Sequence, residues 1–182
     1  MSFWFGTESE YGKRREQWFQ KHAAFDAEIK AHFLAPYEDA ARGALESWRD
    51  RVGDCLALIV LLDQFPRNMF RGSARAFGSD ALAREAARQA LRQGYDHGLL
   101  PVERMFVYLP FEHSEVVEDQ LLSCELMRSL EKFDETKDVY EYAVRHHAIV
   151  ARFGRFPHRN EALGRQSTPE EIEFLKLPGS GF

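Results

Sequence analysis

The residues best suited to chemistry are concentrated in one basic stretch that runs from residue 145 to residue 165. This stretch holds five arginines, three histidines and one acid, Glu161, in a chain whose formal net charge is -5. Arginine presents a planar fork of donors that binds a carboxylate or a phosphate through two hydrogen bonds. The composition of the stretch therefore predicts a binding site for a small anionic molecule.

Two further polar motifs lie at the ends of apolar segments earlier in the chain. Residues 63–68 have the sequence DQFPRN and follow an apolar run, and residues 109–115 have the sequence LPFEHSE. We expect the three regions to converge in one pocket, because ligand sites are concave and gather a few polar groups. The predicted ligand-binding residues are Asp63, Gln64, Arg67, Asn68, His113, Glu115, Gln120, His146, Arg152, Arg155, His158, Arg159 and Asn160.

Catalysis is a second hypothesis. A histidine held by a carboxylate suits general acid–base chemistry near neutral pH. The candidates for such a pair are His113, Glu115 and His158, but the sequence assigns no reaction to them and leaves open whether the protein is an enzyme. Asp63 and His146 are also potential metal ligands, yet no HExxH or CxxC spacing is present. We therefore predict no metal site, and the sequence identifies no cofactor.

A purely structural role for the basic stretch is an open alternative. Arg152 and Arg155 fall at a predicted helix C-terminus, where cations stabilise the helix dipole and its free carbonyl groups. The remaining arginines have Asp63, Glu112 and Glu115 as candidate partners in an internal ion-pair network. The arginines of the motifs outnumber these acids, which favours an external anion over the internal network.

The composition indicates an ordinary globular chain. Of its 182 residues, 45% are hydrophobic and 29% charged, and we expect residues 1–182 to form one domain. The estimated pI of 5.8 argues against nucleic-acid binding. The longest apolar run, residues 55–62, is too short to span a membrane. Because only two cysteines occur and no signal peptide is evident, we expect a soluble, cytoplasmic protein.

Helical periodicity dominates the first part of the chain. Large side chains recur at steps of three or four residues at Trp18, His22, Phe25, Ile29 and Phe33. Pro36 is expected to end this helix, and a shorter helical segment is expected over residues 37–48. Residues 55–62 are apolar on all sides, and we assign them to a buried helix because no strand-like partner exists. Pro66 is expected to end that helix.

Polar residues mark the expected starts of helices. These expected capping residues are Thr7, Asp54, Ser79, Ser114 and Thr168. The helix after Ser114 is expected to bury a stripe formed by Val117, Leu121, Cys124 and Met127. A last long helix is expected over residues 134–154, with Gly154 at its end. Since no segment is typical of a strand, the predicted fold is all-α, a bundle of antiparallel helical hairpins.

Three stretches together resemble a known family. They are LALIVLLDQFPRN at 56–68, LPFEHSE at 109–115 and HAIVARFGRFPHRNEALGRQSTPEE at 147–171. They are similar to the domain-of-unknown-function family DUF 924, and the likeness extends to the N-terminal FWFG. The resemblance implies a helical fold similar to tetratricopeptide (TPR) proteins and implies no activity. The predicted ligand-binding residues and Ser114 all match its polar motif positions.

The TPR resemblance adds a third hypothesis for function. TPR-like arrays hold extended peptides in a concave groove, and a basic groove favours an acidic or carboxylate-ended peptide. A protein or peptide partner is therefore an alternative to a small anion. The two differ in geometry, because a peptide groove is long and open whereas a small-molecule site is a closed pocket where the motifs converge.

Overall fold

A computed structural model describes residues 1–181, and every regular element in that range is helical. The α-helices are α1 (Ser2–Phe5), α2 (Ala23–Ala41), α3 (Val52–Asp63), α4 (Phe65–Met69), α5 (Asp80–Arg92), α6 (Pro101–Glu112), α7 (Val117–Arg128), α8 (Val139–Phe153) and α9 (Pro169–Leu175). Short 3₁₀ turns lie at Glu8–Glu10, Glu16–Trp18, Glu46–Asp50, Ala74–Phe77, Tyr95–Gly98, Asp134–Thr136 and Pro157–Arg159. The predicted all-α fold is confirmed.

Helix α3 lies at the centre of the core. It packs against α2, α5 and α6, which its composition explains, because a helix that is apolar on all sides has no face for solvent. Helix α5 approaches it closely through four buried alanines, Ala83, Ala86, Ala87 and Ala90. The N-terminal aromatic residues also join the core, where Trp4 stacks on Trp18 and Phe5 meets Phe106 edge-on.

Helix α2 differs from the prediction at both ends. It begins at Ala23, where His22 is the N-cap and its Nδ1 accepts from the Phe25 amide at 3.1 Å. It then continues through Pro36 to Ala41, so the expected break and the separate segment over 37–48 are wrong. Buried side chains on both sides of the proline, including Ile29 and Tyr37, explain the continuity, since their burial offsets the lost backbone hydrogen bond.

Several predicted caps act differently. Thr7 precedes only a 3₁₀ turn, and α3 begins at Val52, before Asp54. Ser79 does precede α5, but its hydroxyl donates to the Leu62 carbonyl at 2.6 Å and so ties α5 to the end of α3. Pro66 lies in the first turn of α4, which follows α3 almost without interruption.

Helix α7 buries several polar residues, and the predicted apolar stripe is correct at Cys124 and Met127 but wrong at Val117 and Leu121. Val117 and Leu121 are 39% and 54% exposed. The buried residues are Asp119, Gln120, Ser123 and Met127. Asp119 accepts from Ser114 Oγ at 2.7 Å and pairs with Arg84 and Arg88 of α5. Because Arg84 and Arg88 are distant from Asp119 in the sequence, periodicity alone does not identify Asp119 as a buried residue.

The C-terminal elements agree with the prediction except at the start of α8, which begins at Val139 after a 3₁₀ turn and not at residue 134. Gly154 ends α8 in the left-handed conformation, at φ 69°. Thr168 and Glu171 form the expected capping box at the start of α9, through bonds of 3.2 and 2.7 Å. A small second cluster of Ile149, Val150 and Phe156 lies beneath this region. None of the helices in residues 1–181 is long and apolar enough to cross a membrane.

Candidate functional site

The structure divides four of the five arginines of the basic stretch, all except Arg145, between two groups of interacting side chains. The first group, which we call the outer clamp, comprises three ion pairs that tie the C-terminal segment to the body. These pairs are Arg152–Glu170 at 2.8 Å, Arg155–Glu171 at 2.6 Å and Arg165–Glu115 at 2.7 Å. The structure thus pairs Arg152 and Arg155 with carboxylates of α9. The Arg152 pair is largely exposed.

Asn160 and Glu115 belong to the outer clamp as well. Buried Asn160 accepts from Arg165 Nε at 2.9 Å and donates to Glu171 at 3.3 Å. Glu115 accepts two hydrogen bonds from Arg165 and one from the Phe156 amide. Burial raises the pKa of Glu115, but Arg165 and the Phe156 amide outweigh it and hold that pKa below its ordinary value. A carboxylate so engaged is a weak proton acceptor.

The second group is a set of charged and titratable side chains at the ends of several helices. It consists of Asp63, Arg67, Asp80, Glu112, His113, His146, His158 and Arg159, which we call the buried cluster. Helices α3 and α6 both end in it, and α4 and α5 both contribute to it from near their starts. The structure therefore brings together side chains from all three sequence motifs.

Asp63 and His113 form a pair at the centre of the buried cluster. His113 Nδ1 lies 2.9 Å from both carboxylate oxygens of Asp63, and Gln64 donates to Asp63 at 2.6 Å. Burial opposes ionisation of Asp63, but His113 and Arg67 lower its pKa to about 2. Burial and Arg67 lower the pKa of His113. Near neutral pH a neutral His113 donates from Nδ1, which leaves Nε2 as a proton acceptor.

Asp80 joins two arginines and was absent from the predicted site. Arg67 donates to its two oxygens at 2.8 and 3.0 Å and also to the Asp63 carbonyl at 2.6 Å. Arg159 Nη1 approaches the same Asp80 carboxylate at 3.4 Å. In the sequence, Asp80 is an acid in the first turn of a helix, and such acids are common because they favour the helix dipole.

Glu112 and His146 form a second carboxyl–imidazole contact. His146 Nδ1 lies 2.8 Å from the Tyr142 carbonyl and 3.2 Å from Glu112 Oε1. Burial and the nearby Asp63 raise the pKa of Glu112 to about 8, so it is mainly a neutral acid at pH 7. Burial lowers the pKa of His146 to about 3. Glu112 Oε2 has no hydrogen-bond partner within residues 1–181.

Arg159 is the least completely paired arginine of the buried cluster. It is 6% exposed, and its guanidinium lies 4.7 Å from the Phe77 ring and 4.4 Å from the Phe156 ring. Its Nε has no hydrogen-bond partner in the described part of the chain. Burial and Arg67 lower its pKa to about 10. The adjacent His158 has its pKa lowered to about 4 by burial and by Arg159.

The side chains of two predicted site residues, Gln120 and Asn68, make their hydrogen bonds outside the side-chain contacts of the buried cluster. Gln120 donates to the carbonyls of Glu112 and Ser114, at 2.6 Å each, and so fixes the end of α6. Asn68 donates to Asp26 of α2 at 2.7 Å. These bonds give the side-chain amide nitrogens of Gln120 and Asn68 structural partners, which buried polar groups need.

Two surface depressions lie away from the buried cluster. One, of about 260 Å³, is lined by Cys124, Glu125, Arg128 and Tyr140. The other, of about 220 Å³, lies near the start of α2. Neither is lined by any residue of the buried cluster. We locate the candidate site at the buried cluster, because partly paired charges converge there.

Comparison with known proteins identifies the family. A family model described as a bacterial protein of unknown function, DUF924, matches residues 1–179. The chain belongs to the DUF924 family. It is also similar to a solved structure, a protein of unknown function from Agrobacterium tumefaciens, with 43% identity and a TM-score of 0.82 over 88% of this chain and 89% of the other. No curated protein matches it.

The family membership confirms the resemblance drawn from the three motifs, and the chemistry of this DUF924 protein rests on its own geometry. The buried cluster contains a buried cation with unused donor capacity, a neutral carboxylic acid and a carboxylate-backed histidine. Within residues 1–181, no group of three or more His, Cys, Asp or Glu side chains is arranged to hold a metal ion. A guanidinium of this kind is a donor suited to anions, and the acid and the histidine are groups suited to proton exchange.

Proposed function

We propose that the protein binds a small anionic ligand at the buried cluster, with Arg159 as the principal anion-binding residue. The observation that carries this proposal is the incomplete pairing of Arg159. Within residues 1–181 its one carboxylate contact is long, at 3.4 Å, and Asp80 already accepts two shorter bonds from Arg67. A buried charge normally has short, charge-assisted hydrogen bonds, so unused donor capacity at a buried guanidinium indicates a missing partner.

The outer clamp provides an internal comparison. Arg155 makes two bonds to Glu171 and one to the Gln166 carbonyl, which fully explains its position without a ligand. The count of motif arginines against motif acids is therefore a weak argument, since Glu170, Glu171 and Asp80 supply carboxylates from outside the motifs. Support for an anion site therefore comes from Arg159 alone, and substitution of that one residue tests it.

The surroundings of Arg159 limit the kind of ligand. Phe77 and Phe156 lie close to its guanidinium, and we place the ligand at the donor edge of that planar group. With Glu112 and the histidines neutral, the charges of Arg67 and Arg159 balance those of Asp63 and Asp80. The buried cluster therefore has no surplus positive charge to balance several negative charges. A single carboxylate, phosphate or sulfate group fits it better than a polyanion such as a nucleic-acid strand.

Ligand entry is proposed to involve the C-terminal tail. A Cβ atom added at Gly181 would lie 3.5 Å from His158 Cβ, so the tail packs against a residue of the buried cluster. We therefore expect displacement of residues 179–182 to open access to that cluster. Deletion of residues 179–182 is expected to raise the association rate of the anion, measured by stopped-flow tryptophan fluorescence, while leaving the far-UV circular dichroism unchanged.

Acid–base catalysis is the second candidate function, and the two carboxyl–imidazole contacts favour it. Asp63 orients His113 as a proton acceptor, and Glu112 beside His146 is a neutral proton donor. The pKa of Asp63 is lowered and that of Glu112 is raised, and such opposite shifts are typical of paired acid and base groups. Glu115 is a weaker candidate than Glu112, because Arg165 occupies its carboxylate.

The test is thermal unfolding against sulfate, phosphate, acetate and nucleotides. Binding to the folded state alone adds about 2.7 kcal/mol at a hundredfold excess over Kd, which is a readily measured rise in Tm. Arg159→Gln is expected to lose the rise, and Arg152→Gln, in the same basic stretch but exposed, is expected to keep it. An unchanged Tm with every anion, in a wild type that melts cooperatively, would refute the proposal.

Other expectations stay predictions. If the protein instead has a peptide groove, it is expected to bind an acidic peptide in a pull-down. Comparison of Arg152→Gln with Arg159→Gln in that assay would separate peptide binding from small-anion binding. A cytoplasmic location agrees with the free thiols of Cys55 and Cys124, since reduced cysteines persist in that compartment. A single cooperative thermal transition would support one domain over residues 1–182.

A further inference from the structure

Helices α7 and α8 border a shallow groove on the surface of the molecule. The two helices pack against each other, and the depression of about 260 Å³ lies between Cys124, Glu125 and Arg128 of α7 and Tyr140 of α8. Arg128 donates to the Tyr140 hydroxyl, and its guanidinium lies 4.6 Å from the centre of that ring. This contact closes one end of the groove.

The two helices run in opposite directions along the groove. Arg128 at the end of α7 meets Tyr140 near the start of α8. Further along, Glu112 contacts both Gln120 near the start of α7 and His146 in the middle of α8. Residues one turn before Arg128 therefore lie opposite residues one turn after Tyr140.

Apolar side chains extend the groove from the depression towards the start of α7. Val117 and Leu121 are 39% and 54% exposed, and they lead to Cys124 in steps of four and three residues along one side of the helix. Val144, which is 41% exposed, follows Tyr140 by one turn and so lies opposite Cys124. Steps of four and three residues are typical of the seam at which one helix packs against another.

Acidic side chains lie beside this apolar surface. Glu118 and Glu125 of α7 and Glu141 of α8 are all exposed, and we call them the acidic rim. Within residues 1–181, the ion pairs of α7 and α8 are formed by other side chains of these helices. The carboxylates of the acidic rim are therefore available to basic groups of a partner, which they attract over a distance of about a Debye length.

We propose that the groove between α7 and α8 binds an amphipathic helix of a partner protein, with basic residues beside its apolar stripe. The stripe covers Val117, Leu121 and Val144, and the basic residues face the acidic rim. A second copy of this chain is a poorer occupant, because its own α7 would bring like charges against the acidic rim. The groove lies outside the buried cluster, so this proposal does not depend on anion binding.

Fluorescence anisotropy of a labelled synthetic peptide tests the proposal on the full chain. The probe is an amphipathic helix of about 18 residues, or about five turns, with leucine at helical spacing and lysine elsewhere. A matched peptide has glutamate in place of every lysine. We expect saturable binding of one leucine–lysine peptide per chain, at least about tenfold tighter than binding of the leucine–glutamate peptide.

Two exposed apolar residues provide a matched pair of variants. Leu121→Ser removes the most exposed apolar side chain of the groove without a change in charge, and it is expected to weaken binding by at least about tenfold. Ile172→Ser removes a 48% exposed side chain from α9, outside the groove, and is expected to bind within about twofold of the wild type. Near-UV circular dichroism checks that both variants keep the fold.

The acidic rim is tested by the double substitution Glu118→Gln and Glu125→Gln. It is expected to weaken binding of the leucine–lysine peptide and to reduce the dependence of its affinity on salt, because two attractive charges are lost. An unchanged affinity and salt dependence would show that the rim does not recognise the partner, and would overturn the basic chemistry assigned to it.

The remaining outcomes also decide the proposal. Absence of saturable binding by the leucine–lysine peptide refutes it. Equal affinities of the wild type and Leu121→Ser place the peptide elsewhere on the surface and refute the groove. Equally tight binding of the leucine–glutamate peptide contradicts a basic partner. A wild-type dimer in analytical ultracentrifugation that Leu121→Ser converts to a monomer would show that a second copy occupies the groove, and the partner helix would be wrong.

Discussion

Replacement of Glu112 by Gln tests the electrostatics of the buried cluster most directly. Glu112 is buried, and burial together with Asp63 raises its pKa from the ordinary 4.5 to about 8. Gln has the same shape, stays neutral at every pH, and its side-chain oxygen can still face His146 Nδ1. The substitution therefore removes one titration while retaining the contacts around it.

The sign and size of the effect follow from the shift in pKa. Below about pH 4.5 the carboxyl of Glu112 is protonated in both the folded and the unfolded state, so the wild type loses nothing. As pH rises towards 8 the unfolded state ionises first, and the folded state loses about 1.4 kcal/mol of stability per pH unit. The accumulated loss at pH 7 is about 3 kcal/mol, and Glu112→Gln escapes it.

Urea unfolding at several pH values measures this difference. Buried Trp4 and Trp18 provide a fluorescence signal for unfolding. The free energy of unfolding of Glu112→Gln, minus that of the wild type, is expected to grow from about pH 5 to about pH 8. Glu118→Gln, at an exposed position of α7, controls for the charge change. A difference that is constant with pH would refute the assignment of Glu112 as a neutral buried acid.

Three further substitutions distinguish the buried cluster from the outer clamp. Asp80→Asn leaves Arg67 and Arg159 without their shared carboxylate and is expected to cost about 3–5 kcal/mol in urea unfolding. Arg152→Gln removes an exposed ion pair and is expected to change stability by less than about 1 kcal/mol, so a larger loss would contradict its peripheral role. Arg165→Gln releases the C-terminal segment and is expected to speed its cleavage by trypsin, and an unchanged digestion pattern would count against the clamp.

Much of the fold follows from local sequence chemistry. The apolar run over residues 55–62 lies in the buried helix α3, and the Thr168 motif forms the capping box that was expected. Gly154 ends α8 as predicted. These features depend on neighbours within one helical turn, so the sequence contains all the information that they need.

The predictions from sequence are wrong where residues distant in the chain determine the local structure. Pro36 is tolerated because its helix is buried on both sides of it, and propensity rules do not include that burial. Asp119 faces inward because Arg84 and Arg88 of another helix meet it there. Asp80 belongs to the candidate site because Arg67 and Arg159, which are distant from each other in the sequence, both contact its carboxylate. Ion-pair partners separated by tens of residues leave no periodic signal in a single sequence.

The contrast between Arg155 and Arg159 is the strongest argument that the basic stretch is more than a brace. Both residues follow the C-terminus of α8, Arg159 in the 3₁₀ turn Pro157–Arg159, and both meet carboxylates from other elements. Arg155 has every expected partner, whereas buried Arg159 shares Asp80 with Arg67 and has no hydrogen bond at Nε within residues 1–181. A brace gains nothing from a desolvated, half-paired cation. An anion-binding residue does gain from this state, because its unused hydrogen-bond donors are already desolvated and oriented for a ligand.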